Sequence, residues 1–192
     1  MDVRDAAALI AGAIPAPTGA DGTAAVWADL GAGRGTFTAA LARLLGPSAR
    51  IHAIDREPSA IAALRQLATR VRTAATIVPH RADFASTESW DALGLPALDG
   101  VLLANALHFV PTDEQADVLA RLAAGLRPGA RLVVVEYEGR RPSRWVPFPL
   151  SLERLRAILP ATIAPLHQVG SRPSAFGGSI YAAAAERPRA GR

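Results

Sequence analysis

The chain has 192 residues, half of them hydrophobic, no cysteine and a formal net charge of +4. That length fits one domain with a real core. The missing cysteines exclude disulfides, thiolate zinc sites and cysteine nucleophiles, and no continuous apolar stretch is long enough to cross a bilayer.

The charge is uneven along the chain. Residues 1–139 hold 12 Arg against 15 acids, a balance of −3, whereas residues 140–192 hold 9 Arg against 2 acids, a balance of +7. A basic C-terminal third can face an acidic substrate, a phosphate or RNA. The basic set contains no Lys, however, and with abundant Ala, Gly and Pro it reads first as compositional bias.

In chain order, the opening "MDVRDAAALIAGAIPAP" carries Asp2 and Asp5 against Arg4, where a signal peptide needs a positive start. An N-terminal helix in a cytoplasmic protein is therefore expected. Residues 1–22 are predicted as a helical or lid segment hinged at "PAPTGADG", residues 23–186 as a single domain, and residues 187–192 as a disordered tail. From Ala24 onward strand-like and helix-like segments alternate, as an α/β sheet requires. "AAVWADL" is the first strand, followed by a glycine loop and a helix with Phe37, Leu41, Leu44 and Leu45 at helical spacing. "RIHAID" is the second strand, and Pro58 opens a helix with Ile61, Leu64 and Leu67 on one face. "ATIVPHRADF" holds the third strand, "STESWDALGL" a short helix, and "LDGVLLANAL" a fourth strand apolar enough for burial on both faces. Thr112 with Gln115 forms a capping-box pattern before a helix with Val118, Leu119, Leu122 and Leu126. "RPGARLVVVEY" turns into the fifth strand and "EGRRPSRWVPFPL" is an irregular loop. Ser151 caps a helix with Leu152, Leu155, Ile158 and Leu159, and "TIAPLHQV" and "GSIYAAAA" close the sheet.

The glycine loop lets backbone approach a ligand closely. Gly31, Gly33 and Gly35 give G-x-G-x-G, with Thr36 where the dinucleotide fingerprint places its third glycine. Asp29 ends the first strand and suits a cationic ligand group better than a pyrophosphate. Asp55 ends the second strand, where a carboxylate can accept from both hydroxyls of a ribose. Asp83 ends the third, where it can accept from an exocyclic amine with Phe84 packed on the base. Together these acids describe a pocket for a cationic ligand bearing ribose and adenine.

"DLGAGRG", "AIDREPSA", "RADF", "DGVLLANALHFV" and "LRPGARLVVVEY" resemble, in order, the motifs of class I S-adenosylmethionine-dependent methyltransferases, over residues 24–137. The resemblance implies a Rossmann-like α/β fold with seven strands in a mostly parallel sheet, the last antiparallel, and helices on both faces. It implies S-adenosyl-L-methionine as cofactor, the methionine part held by Asp29, Gly31, Gly33 and Gly35, the ribose by Asp55 with Arg56 beside it, and the adenine by Asp83 with Phe84. Asn105 is expected to shape the same pocket. "RWVPFPLSLERL" with "RPSAFGGSIYAA" also resembles a group of small bacterial methyltransferases.

Methyl transfer from a sulfonium needs alignment and water exclusion before it needs a base. His108 is the candidate base, with a loop cap or packing residue as its other reading; Glu136, Tyr137 and Glu138 follow the fifth strand without an assigned role. Arg140, Arg144 and Trp145 are candidates for binding an acidic or planar acceptor, and Arg172 for lining the pocket or lying on the surface. His52 reads as a sheet-face residue, and His80 and His167 form no ligand cluster, so no metal is expected. A small-molecule acceptor ranks first and a homodimer is possible. An RNA methyltransferase, a nicotinamide-dependent oxidoreductase and a catalytically silent cofactor-binding protein are the alternatives; the oxidoreductase would lack both its third glycine and any Tyr-x-x-x-Lys pair.

Overall fold

In the computed structural model, residues 1–15, 24–71 and 74–189 are described. Seven strands, β1 (Val26–Leu30), β2 (Arg50–Asp55), β3 (Thr76–Arg81), β4 (Leu98–Ala104), β5 (Leu126–Glu138), β6 (His167–Pro173) and β7 (Ser179–Glu186), form one sheet in the order β3-β2-β1-β4-β5-β7-β6. The first five strands run parallel, and β7 is antiparallel to both of its neighbours, β5 and β6. This is the mostly parallel Rossmann-like sheet that the motifs imply. The order reverses between β1 and β4, so the chain leaves these neighbours in opposite directions and opens a crevice at their carboxyl ends.

Helices α1 (Val3–Ile10), α2 (Thr36–Leu45) and α3 (Pro58–Arg70) cover one face of the sheet, packing on Trp27, Ile51, Ala53, Leu102 and Val133. Helices α5 (Gln115–Ala124) and α6 (Leu152–Ile158) share the other core with Ala28, Leu30, Val101, Leu103, Leu132 and Val134, near the short α4 (Thr87–Asp91). Alternate residues of β4 and β5 thus feed opposite cores, which is why both strands are apolar without a break.

Four sequence expectations need correction. The Thr112–Gln115 capping box does not form: Glu114 precedes α5 with no side-chain cap. Gln115 is instead wholly buried, its amide donating to the carbonyls of Val110 and Phe148 at 3.2 Å and of Leu107 at 3.4 Å. Leu126 is the first residue of β5, not part of the helix. The sixth strand starts at His167, beyond Pro165, and runs on through "GSRP" with a shift of register between Gln168 and Gly170. Arg187, expected in the loose tail, is tied down by backbone bonds to Ala130 and Gly129 and by its guanidinium on the carbonyls of Ala123 and Ala124; residues 190–192 lie outside the described residues.

Helix α1 is capped by Asp2, which accepts from the Asp5 amide at 2.8 Å, and buries Ala6, Ala7, Leu9 and Ile10 against α2 and β6. The expected hinge, "PAPTGADG", falls almost wholly within residues 16–23, outside the described residues. No described helix is long and apolar enough to cross a membrane.

Candidate cofactor and acceptor site

The crevice between β1 and β4 holds a cavity of about 590 Å³, within the usual range of roughly 300–1,000 Å³ for small-molecule sites. Its floor is the glycine loop. The amides of Gly31 and Ala32 donate to the Ile54 carbonyl at 2.9 and 3.0 Å, which fastens the loop across the end of β2. Gly31 has φ +68°, and a Cβ there would lie 2.7 Å from the Ala106 Cβ, so only glycine lets the loop pass this close to the β4 exit.

Asp55 ties the loop from below. Its Oδ2 accepts from the Gly33 amide at 2.8 Å and its Oδ1 from the Glu57 amide at 2.9 Å. A carboxylate oxygen has a second lone pair, so Asp55, which lines the cavity, can still accept from ligand hydroxyls. Asp83 and Phe84 line the next stretch. Asp83 Oδ1 accepts from the Ala85 amide at 2.9 Å, and Arg56 Nη1 stands 3.6 Å from Asp83 Oδ2, an exposed pair of small energetic weight. Helix α5 braces this wall. Arg121 Nη2 donates to the carbonyls of Phe84 at 2.7 Å and Ala85 at 3.0 Å, and its Nη1 to Thr87 Oγ1 at 2.9 Å.

Asn105 completes the loop end. It sits at φ 53°, rare for a residue with a side chain. Its amide donates to the Val135 carbonyl at 2.8 Å, while its side-chain Oδ1, on a residue lining the cavity, is buried without a partner. A buried acceptor left unpaired costs stability unless something else bonds it.

Several expected site residues stand elsewhere. Asp29 is 1% exposed and does not line the cavity; it points to the α2 side of the sheet, where Thr38 Oγ1 donates to its Oδ2 at 2.6 Å. Burial pushes its carboxyl up to about 7, with the Thr38 hydrogen bond opposing and the Asp55 charge adding to the rise. Gly35 does not line the cavity either. It precedes α2 at φ +86°, and a Cβ there would lie 2.5 Å from Leu67, so this glycine serves helix packing.

His108 is 2% exposed and lies behind the wall. Glu136, wholly buried, holds it twice, accepting from the His108 amide at 3.1 Å and standing 2.6 Å from Nδ1. This is the packing role, not the base role. Trp145 is 72% exposed, with Arg144 5.3 Å over its ring, and neither lines the cavity. Arg140 reaches the rim, 5.5 Å over the Tyr137 ring and donating to the Phe176 carbonyl.

Sequence reasoning missed the far wall. Phe109 follows His108 in a short 3-10 turn (Leu107–Phe109), and Phe176 lies between β6 and β7; both line the cavity with Tyr137 and Arg172. Phe109 lies inside "DGVLLANALHFV", one residue after His108, and Phe176 inside "RPSAFGGSIYAA", but nothing in either stretch marks it as a cavity residue. His52 and His80, read separately, stand with Nδ1 and Nε2 2.8 Å apart on β2 and β3.

The comparisons with known proteins agree with this geometry. A family model described as "Methyltransferase domain" matches residues 28–132, more than half of the chain. No curated protein matches by sequence. Among solved structures, the chain is similar to a Burkholderia thailandensis 1,6-didemethyltoxoflavin N1-methyltransferase with its substrate and S-adenosylhomocysteine bound (26% identity, TM-score 0.64, 97% of this chain and 78% of that one). It shares its fold with a mitomycin 7-O-methyltransferase (24% identity, TM-score 0.64, 95% of this chain), of which it spans only 53%. It also shares the fold of an arsenic(III) S-adenosylmethionine methyltransferase from Chlamydomonas reinhardtii (17% identity, TM-score 0.67, 97% of this chain and 73% of that one). With its ordered motifs, its switch-point cavity and this match, the chain belongs to the methyltransferase-domain family, in the class I, S-adenosylmethionine-dependent fold.

Proposed function

We propose that the chain binds S-adenosylmethionine at the loop end of the cavity and transfers its methyl group to a small molecule at the other end. One observation carries the reading: the Gly31–Gly33 backbone, two strand-end carboxylates and a buried, partnerless acceptor, Asn105 Oδ1, converge on one cavity. These residues fit the cofactor. Asp55 would accept from the ribose hydroxyls, Asp83 from the adenine amine with Phe84 against the ring, and Asn105 from the ammonium of the methionine part. Bound there, the cofactor supplies a methyl group on a sulfonium with a neutral leaving group. The chain's own contribution is to place two ligands in line and to keep water out, through Phe84, Phe109, Val110 and Ile180. His108 and Glu136 act as positioning residues: together they fix the turn that carries Phe109. The toxoflavin relative, which binds S-adenosylhomocysteine and a small heteroaromatic substrate, supports the same reading.

Calorimetric titration with S-adenosylmethionine, S-adenosylhomocysteine and NAD tests it, with Asp55→Ala alongside. Saturable binding of the two sulfur nucleotides, at least tenfold weaker in the variant, is the expected result, since a hydrogen-bonded carboxylate of this kind is worth roughly 1.5–3 kcal/mol. Binding of NAD alone would overturn the reading in favour of an oxidoreductase.

A further inference from the structure

The two ends of the cavity differ in where their carboxylates lie and in aromatic content. The carboxylates that line it, Asp55, Glu57 and Asp83, all stand at the loop end, accompanied there by Arg34 and Arg56. At the far end stand Phe109, Tyr137, Phe176 and Arg172. Phe109 is 47% exposed and Phe176 73%, in a fold that buries nearly all its other large hydrophobic side chains. Aromatic rings left in water around a cavity mark a surface for an apolar, planar partner.

Two arginines supply N–H donors near this end. Asp5 pairs with Arg172 at Nη1, 2.7 Å away, and a guanidinium carries five N–H donors, so others remain to be used. Arg140, just outside the lining, stacks over the Tyr137 ring and donates to the Phe176 carbonyl. Burial holds the Tyr137 phenol above its ordinary value, so it stays protonated and can donate. Among the described residues, no Asp, Glu or His lines this end. The imidazole of His108 is behind the wall, engaged by Glu136.

We propose that the far end takes a planar aromatic acceptor whose reacting oxygen is already ionised, such as a carboxylate or an acidic phenol or enol. Such an oxygen forms its bond to the methyl carbon as the carbon–sulfur bond breaks toward sulfur, giving a methyl ester or ether and a neutral thioether. No proton has to leave, so no base is needed. Arg172 and Arg140 draw the anion in, Tyr137 donates to it, and Phe109 and Phe176 hold the ring.

The inference rests on the methyltransferase reading, and one experiment separates the two. The protein is first titrated with S-adenosylhomocysteine. Failure to bind would overturn both. The loaded protein is then titrated with three probes sharing one ring: 4-nitrocatechol, ionised near neutral pH, catechol, which is neutral, and dopamine, which is cationic. The expected order is 4-nitrocatechol at least tenfold tighter than catechol, and dopamine weakest. Arg172→Gln and Arg140→Gln should each shrink the preference for the anion about threefold or more. Phe176→Ala should weaken the anionic and neutral probes alike, and its exposed side chain leaves folding unaffected; thermal melts check this for all three variants. Dopamine binding as tightly as 4-nitrocatechol, an anion preference that survives both arginine variants, or no probe binding to the loaded protein would overturn this inference alone.

Discussion

The two ends of the cavity are built from different materials. The loop end is largely backbone: the carboxyl ends of three parallel strands, amides fastened to Ile54, and a glycine on which a Cβ would lie 2.7 Å from the Ala106 Cβ. The far end is side chains from a 3-10 turn, the end of β5 and the β6–β7 connection. Backbone geometry tolerates few residue types at each position, whereas a wall of side chains tolerates many. On the proposed reading, the first end would hold the cofactor and the second would set the acceptor.

The sharpest way to break this division is at the support of the far end. Glu136→Ala leaves the buried His108 amide and ring nitrogen without their partner and should cost about 2–6 kcal/mol, at ~1–3 kcal/mol for each buried hydrogen-bonding group left unpaired. The melting temperature should drop by on the order of 10 °C. A drop as small as that of an exposed variant would mean that the far end does not depend on this support.

Asp29 gives the next largest effect, and it runs with pH. Its folded-state carboxyl at about 7 lies above the ordinary 3.8. Between those values the folded chain holds a proton that the unfolded chain has lost, so stability falls as pH rises, by up to roughly 4 kcal/mol. His52 opposes it. Burial and the neighbouring His80 hold it down to about 4, from 6.5, so the unfolded chain binds the extra proton and stability rises over pH 4 to 6.5. The two slopes offset each other in acid. Denaturant melts across pH should show Asp29→Asn gaining stability with rising pH up to about 6.5, and His52→Asn losing it up to about 7. Parallel profiles for both variants would show that neither group carries the linkage.

Two smaller changes sharpen the loop end. Gly31→Ala should reduce S-adenosylhomocysteine affinity at least tenfold, because the loop must retreat from Ala106. Gly33→Ala, with nothing within 4 Å of the added Cβ, should cost only the left-handed conformation, about 1–2 kcal/mol of stability. Smallest is Arg121→Lys. An ammonium cannot hold at once the two carbonyls bonded by Nη2 and the Thr87 hydroxyl bonded by Nη1 of the guanidinium fork, so the same affinity should fall about threefold, with the melting temperature little changed. An unchanged affinity would mean that the Phe84 wall stands without its brace.

How much the sequence revealed follows the same division. The mostly parallel sheet and the glycine loop were legible because spacing encodes backbone position, and Asp55, Asp83 and Asn105 do line the cavity. Asp29 misled because strand residues alternate in direction: it ends the right strand but points to the α2 side, toward Thr38. His108 misled because its partner, Glu136, is 28 residues away. Gln115 sits in a true helix-start pattern, yet three carbonyls in the interior outcompete the cap. The place of Phe176 was not readable, since only the antiparallel β6–β7 pairing brings its loop to the cavity.

The place of β7 has a consequence for the order of assembly. β5, with four consecutive valine-rich, apolar positions, is bordered by β4 on one side and on the other by β7, the last of the seven described strands to be made. During synthesis the hydrogen-bonding edge of β5 stays open while some forty further residues emerge. An open apolar edge is a template for pairing with other chains. The window of greatest aggregation risk is thus confined to the nascent protein, and it closes with Ser179–Glu186, not with the helices that cover the sheet.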